Sequence, residues 1–214
     1  MDAWGSFGRD VPRDRPLGAA MSASELSDST PSLRWVEISA GAGRNDKPAL
    51  LVNAIGTEVL SDAREVRIAL EDTWTTCEWP GRVADYDLWR TLFDGALEDG
   101  SYLDETELRP VETLPATLPV YRAAAAGHEQ GLSWTTSFER AHWFATRLGA
   151  IAGGTHRIYE LDAPREWVLA SFHDTRREHE YVIDLARGEN PELREVLPEE
   201  WEYLLAADEE EGPS

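Results

Sequence analysis

The chain has 214 residues, of which 42% are hydrophobic, so it is long enough to bury one core of ordinary domain size. Its formal net charge of −21 at pH 7 argues against unaided binding to duplex DNA, because that affinity comes largely from Lys and Arg neutralising phosphates. The single cysteine, Cys77, excludes an intramolecular disulfide and a cysteine-rich zinc site. The sequence contains neither a signal-peptide core nor an apolar run that could cross a bilayer, so we expect a cytoplasmic protein without a membrane partner.

Composition divides the chain into four regions. Residues 1–32 are rich in Gly, Pro, Ser, Asp and Arg and poor in aliphatic residues, which predicts a disordered segment. Residues 33–115 are predicted to be mainly helical, and residues 116–206 are predicted to form a core of strands and one helix. Residues 207–214 are predicted to be an acidic, frayed tail.

The N-terminal half begins with two short apolar runs, Leu33–Val36 and Ala49–Val52, which we interpret as strands or strand-like pieces. A helical pattern follows, with Ser61 or Asp62 as its candidate cap. Apolar residues from Leu88 to Leu97 mark one face of a second amphipathic helix, which is predicted to stop near Gly100.

From Pro119 onward the pattern changes to short strands. Strands are predicted over 120–123, 132–135 (a short strand or a turn), 156–161, 167–172 and 178–185. Between the second and third of these, Thr136 and Glu139 have the spacing of a capping box, which predicts a helix. Two strands, a helix and a further run of strands indicate an α+β fold and not a doubly wound sheet.

Arg122 is the first candidate site residue, because it interrupts an otherwise apolar strand. Side chains of a strand alternate between its faces, so Val120 and Arg122 are expected on the same side. A buried guanidinium needs an anionic partner, since an unpaired buried charge is very costly. That partner is either a carboxylate of the same chain or a bound phosphate, which a planar guanidinium contacts at two points.

Four hydroxyl side chains form a second candidate feature between Gly131 and the predicted helix. Thr136 is expected to cap that helix. Ser133 and Thr135 are two residues apart and therefore share a strand face, and no local role explains them. Trp134 either covers a planar ligand ring or belongs to the core.

A third feature is the pair Glu178 and Glu180, which project from one face at the start of a late strand. Adjacent carboxylates repel each other and raise each other's proton affinity unless a cation lies between them. The pair is therefore either a solvated feature of an edge strand or a catalytic pair. His179 points to the opposite face and is assigned no role.

Taken together, the three features resemble the mono-ADP-ribosyltransferase superfamily, in the branch built on an Arg, a Ser-Thr-Ser-type segment and a Glu-x-Glu motif. The resemblance covers residues 119–185. The Ser-Thr-Ser segment corresponds to Ser133-Trp-Thr135 or to Thr135-Thr-Ser137, and the first is preferred because the second lies in the helix cap. Actinobacterial and phage-encoded proteins of unassigned function share a similar Gly-Leu-Ser-Trp-Thr stretch, which brings no function with it.

The resemblance implies a split β-sheet core with a helical N-terminal extension. It implies a glycosyltransferase that takes NAD as substrate, needs no metal and modifies a protein acceptor, with arginine as the first candidate residue. The residues it assigns to NAD are Arg122, Ser133, Trp134 and Thr135. In this scheme Ser133 fixes the rotamer of Glu180, which stabilises positive charge as nicotinamide leaves, and Glu178 orients or deprotonates the acceptor.

Two other functions stay open. One is a non-catalytic acidic interaction protein of phage or mobile-element type, which uses the same scaffold to mask a basic partner or mimic nucleic acid. The other is ADP-ribosylation of nucleic acid, which the net charge makes less attractive. Clustering of Asp and Glu on one face, together with a closed site in which Arg122 pairs with Glu180, favours the interaction protein. An open cleft where Arg122, Ser133 and Glu180 converge favours the enzyme. Residues 33–115 are either an extension of the core or a separate substrate-recognition region.

Overall fold

The computed structural model describes residues 32–152, 155–173 and 179–211. Its helices in these ranges are α1 (Trp35–Ile38), α2 (Lys47–Gly56), α3 (Ala63–Thr76), α4 (Pro80–Val83), α5 (Tyr86–Ala96), α6 (Phe138–Ala152) and α7 (Trp201–Glu211). Its strands are β1 (Ser101–Asp104), β2 (Glu107–Pro110), β3 (Thr117–Ala125), β4 (Ser133–Thr135), β5 (His156–Pro164), β6 (Val168–Phe172), β7 (Glu180–Ile183) and β8 (Arg194–Val196). The predicted α+β class is confirmed.

The eight described strands form one mixed sheet in the order β2-β1-β6-β7-β4-β3-β5-β8. Only the β1–β6 pair is parallel in that order. β3 pairs with β5 along nine residues, but its register with β4 consists of one residue pair, Tyr121 with Thr135. Beyond Tyr121, β3 therefore runs without a registered β4 partner, and its β4-facing edge borders open space.

The helices of the N-terminal half share a core with the sheet. Trp74 of α3 packs edge-on against Trp89 and Phe93 of α5, with ring centroids 4.9 and 5.4 Å apart respectively. The same cluster contains Phe172 of β6 and Val182 of β7. Strand β1 also pairs with β6, so the regions before and after residue 115 share one sheet and one core.

Helices α6 and α7 pack together on the part of the sheet that includes β3 and β5. Asp208 of α7 accepts hydrogen bonds from Ser137 Oγ at 2.8 Å and from the Glu139 amide at 2.9 Å. Asp208 thus satisfies two donors where α6 begins. The acidic tail predicted from residue 207 is helical as far as Glu211, and residues 212–214 lie outside the described ranges.

Two of the predicted strand pieces are helical, and those predictions are wrong. Leu33–Val36 leads into α1, and Ala49–Val52 lies inside α2. Apolar runs of four residues do not separate helix from strand. Pro48 in the first turn of α2 is a helix-start signal, because its fixed φ and missing N–H both suit that position.

The other predicted helix boundaries agree with the structure in part. Asp62 caps α3 by accepting from the Glu65 amide at 2.9 Å, as predicted. The second predicted helix is α5, which ends at Ala96 and not near Gly100. The cap of α6 is Ser137 and not Thr136, because Ser137 Oγ accepts from the Arg140 amide at 3.2 Å.

The predicted disordered segment, residues 1–32, lies outside the described residues except for Ser32. Ser32 Oγ accepts from the amides of Ser61 and Asp62 at 3.0 and 3.1 Å. Within the described part of the chain, no helix is both long and apolar enough to span a membrane.

Candidate functional site

A cavity of about 670 Å³ lies beside the open edge of β3. Its volume falls within the range of small-molecule sites, roughly 300–1,000 Å³. The strands contribute Arg122, Ser133 and Glu180 to its lining, and α6 contributes an apolar and aromatic wall. Arg44, whose side chain is 61% exposed, and Ile151, which is also 61% exposed, border the same cavity, so it reaches the molecular surface.

A second cavity of about 340 Å³ adjoins the first. The two share the side chains of Arg122, Ser133 and Glu180 in their linings. They also share the segment Glu78-Trp79, which follows α3. Arg122, Ser133 and Glu180 therefore border both cavities.

Glu180 is positioned by two hydrogen bonds to one of its carboxylate oxygens. Ser133 Oγ donates to Glu180 Oε1 at 2.5 Å, and Trp74 Nε1 donates to the same oxygen at 3.0 Å. The β4–β7 register pairs Thr135 with Glu180 and Ser133 with Val182, so Ser133 and Glu180 share a face at diagonal positions. Because the residue is only 9% exposed and its Oε1 has two donors, its rotamer is fixed.

Arg122 reaches the site past a glycine. Its Nη1 donates to the carbonyl oxygen of Ser133 at 2.7 Å. A Cβ at Gly131 would lie 2.0 Å from Arg122 Nη2, so a side chain there would displace the guanidinium. Arg122 Nε is buried and has no hydrogen-bond partner among the described residues.

The guanidinium of Arg122 is charged although it is buried. Burial lowers the pKa of Arg122, while Tyr86 and Glu180 act in the opposite direction. Arginine nevertheless stays protonated in proteins, because its unperturbed pKa is so high. The site therefore holds a fixed positive charge beside the Glu180 carboxylate.

The neighbours of Arg122 alternate as expected in a strand. Tyr121 and Ala123 pack against the core cluster that contains Phe138, whereas Val120 belongs to another cluster. Val120 is fully buried in a core cluster, whereas Tyr121, Arg122 and Ala123 all border the larger cavity. A cavity can border three consecutive strand residues where it lies beside the edge of the strand. The open edge of β3 beyond Tyr121 supplies that geometry.

The other predicted residues have more local roles. Trp134 is 1% exposed, and its Nε1 donates to the Gly131 carbonyl at 2.8 Å, which favours the core as the role of its ring. Thr135 borders the larger cavity, and its Oγ1 accepts from the Ser137 amide at 3.1 Å. Ser133, and not Ser137, contacts Glu180. Glu178 lies outside the described residues.

Trp74 is the residue that the sequence analysis missed. Its position in an apolar helical pattern marks it as core, and it is 2% exposed. A buried indole still needs a partner for its N–H. The need for such a partner could have pointed to a role for Trp74 in the sequence. The helical pattern does not identify the partner, which is 106 residues away.

The lining of the larger cavity is less acidic than the chain as a whole. It contains three arginines, at positions 44, 122 and 147, and two glutamates, at positions 78 and 180. Arg44 Nη2 lies 3.0 Å from Glu78 Oε2, and the Arg147 guanidinium lies 4.8 Å from the ring centroid of Trp143. A chain with a net charge of −21 therefore lines this cavity with one more cationic than anionic side chain.

Within the described ranges, no cluster of three His, Cys, Asp or Glu side chains is placed to hold a metal ion. Comparisons of the chain with protein-family models, with curated proteins and with solved structures found no match.

Proposed function

We propose that this chain is an NAD-dependent mono-ADP-ribosyltransferase that modifies a protein acceptor, with arginine as the first candidate residue. The observation that supports it most is the fixed Glu180 carboxylate. Ser133 and Trp74 both donate to Glu180 Oε1, at a cavity that Arg122 also borders. The type of reaction is assigned from the resemblance of the Arg, Ser/Thr and Glu motifs to that superfamily.

The larger cavity suits NAD in size and charge. A dinucleotide carries an anionic pyrophosphate, and the guanidinium of Arg122 is a planar donor suited to phosphate oxygens. Arg122 Nε has no partner among the described residues. The aromatic and aliphatic wall of α6, with Trp143, Phe144 and Leu148, offers an apolar surface for a ring.

In the proposed reaction, the bond between C1′ of the ribose and the nicotinamide nitrogen breaks. Its electron pair stays with that nitrogen, so neutral nicotinamide leaves and the ribose gains oxocarbenium character. A carboxylate already held in place stabilises this positive charge without reorganising, which is worth more at a partly buried site than in water. Glu180 supplies that carboxylate, and Ser133 and Trp74 hold it.

The acceptor nucleophile then forms a bond to C1′ and loses a proton. The resemblance gives Glu178 the role of orienting or deprotonating the acceptor, and that role remains part of the proposal. Without an acceptor, water takes its place and NAD is hydrolysed.

An enzyme accounts for the site better than a non-catalytic interaction protein does. Arg122 Nη1 donates to the main-chain carbonyl of Ser133, and Arg122, Ser133 and Glu180 converge on a cavity that reaches the surface. A scaffold that only masks a basic partner needs no such cavity. The net charge of −21 also favours a basic protein acceptor over nucleic acid.

The proposal is tested by NAD hydrolysis and by labelling of a cell extract from radiolabelled NAD. Glu180→Gln keeps the shape of the side chain but removes its charge, so NAD cleavage should fall by about 100-fold or more. Glu112→Gln is the matched control, because Glu112 is exposed and lies outside both cavities. Wild-type protein that neither binds NAD nor labels a broad extract would contradict the proposal.

A further inference from the structure

We propose that the smaller cavity is the acceptor site and that Glu78 and Trp79 bind the acceptor as a planar cation. The proposal rests on the function proposed above and gives the acceptor a place in the structure. Its first support is that both cavities meet at Glu180. A transferase needs the donor and the acceptor to approach one carbon from different sides, and NAD in the larger cavity leaves the smaller one for the acceptor.

The chemistry of the smaller cavity suits a planar cation. Four aromatic side chains, those of Trp74, Trp79, Tyr86 and Phe144, contribute to its lining together with two glutamates and two arginines. The Glu78 carboxylate stands where the two cavities join, and its side chain is 42% exposed. An aromatic face beside a carboxylate attracts a guanidinium both through the ring quadrupole and through charge.

Two arginines of this chain already contact the Trp79 ring and the Glu78 carboxylate. The Arg82 guanidinium carbon lies 4.8 Å above the Trp79 ring, and Arg44 Nη2 lies 3.0 Å from Glu78 Oε2. Both arginines are exposed, and exposed contacts of these kinds are weak. An incoming guanidinium can therefore replace either of them, and the intramolecular contacts show which groups it would meet.

The transfer step is balanced as follows. A guanidine nitrogen of the acceptor attacks C1′ and forms the new C–N bond, while the bond from C1′ to nicotinamide breaks and its electron pair leaves with nicotinamide. The proton released from the guanidinium passes to solvent. Glu78 and Trp79 take no part in bond making; they position the acceptor.

The test compares two activities of the full chain, NAD hydrolysis and transfer of ADP-ribose to agmatine, a small guanidine. Glu78→Gln and Trp79→Ala should each lower the ratio of transfer to hydrolysis by about three- to tenfold. Trp79→Phe should recover most of that ratio, because a phenyl ring keeps an aromatic face. Removing a competing arginine with Arg44→Ala should raise the ratio.

Trp143→Ala is the matched control. Trp143 also carries an arginine at 4.8 Å, but it borders only the larger cavity. We expect it to raise the KM for NAD and to leave the ratio of transfer to hydrolysis unchanged.

The outcomes separate the two proposals. If the wild type does not cleave NAD, the proposed function is overturned and this assignment falls with it. If the wild type cleaves NAD but Glu78→Gln and Trp79→Ala keep its ratio, only the acceptor site is overturned. Equal losses of hydrolysis and transfer would also overturn it, since they would assign both residues to NAD.

Discussion

Glu180 takes its position from two residues that lie far from it in the chain. Ser133 is 47 residues away and Trp74 is 106 residues away, and both donate to the same carboxylate oxygen. Ser133 reaches it through strand pairing, whereas Trp74 reaches it through the packing of α3 against the sheet. The helical half of the molecule thus contributes directly to the site.

This dependence on α3 predicts the effect of Trp74→Phe. The variant keeps an aromatic ring in the core but removes the N–H that donates to Glu180. We expect the kcat for NAD hydrolysis to fall about tenfold, the value of one hydrogen bond to a charged group, with the KM for NAD unchanged. Steady-state kinetics of the purified variant measure both parameters.

Trp89→Phe provides the control for that prediction. Trp89 is fully buried beside Trp74, but its Nε1 donates to the Pro80 carbonyl at 3.1 Å. Both substitutions disturb the same core, so both should lower the unfolding midpoint. A similar fall in kcat for both variants would show that Trp74 acts through packing alone.

Charged and hydroxyl side chains in short apolar strands singled out Arg122, Ser133 and Glu180, and the structure brings all three to one cavity, while their role in NAD chemistry remains a prediction. The sequence was not sufficient to select Trp74, since a buried Trp in a helix matches ordinary core packing. Nor did it show that Gly131 makes room for the Arg122 guanidinium. Contacts of this kind depend on the relative placement of elements, which periodicity does not describe.

Among the elements, α3 and α5 were predictable, whereas α1 and α2 were mistaken for strand pieces and the short strands β1, β2 and β8 were missed. α3 and α5 span several turns and begin at Asp caps, so their pattern and their start signals agree. The hairpin of β1 and β2 was missed because its turn contains Glu105 at φ 52°, without the Asn-Gly or Asp-Gly signal of tight turns. β8 has three residues, too few for an alternating pattern.

The contact between α7 and α6 leads to a prediction at the level of the element. Asp208 accepts from Ser137 Oγ and from the Glu139 amide, so it acts as a remote cap for α6. Asp208→Ala should lower the free energy of unfolding by about 1 kcal/mol, the usual cost of losing a helix cap. Urea denaturation followed by circular dichroism measures the difference.

Glu192→Ala is a suitable control for Asp208→Ala, because Glu192 is an exposed acidic residue outside any helix. It removes the same charge without removing a cap. If the two variants have equal unfolding midpoints, the contact of Asp208 with the start of α6 does not stabilise the fold.

At the scale of the whole molecule, the net charge of the chain differs from the charge of the residues that line the larger cavity. A net charge of −21 spreads over the chain, while three arginines border the larger cavity. Composition alone predicted the first property, the net charge, which argues against unaided binding to duplex DNA. It did not predict the second, because arginines at positions 44, 122 and 147 come together only in the folded chain.

The shared sheet and core predict how the whole molecule unfolds. The sequence suggested a boundary near residue 115, and two regions with separate cores would unfold independently. In the structure, β1 pairs with β6, and Trp74, Phe93 and Phe172 occupy one cluster that crosses that boundary. Loss of either region exposes apolar surface of the other, so neither is expected to persist alone.

We therefore expect one cooperative transition in urea, with coincident curves from tryptophan fluorescence and far-ultraviolet circular dichroism. Two separated transitions, or curves that do not coincide, would show that the helical region and the sheet are independent units. A shared core would then not hold Trp74 beside Glu180.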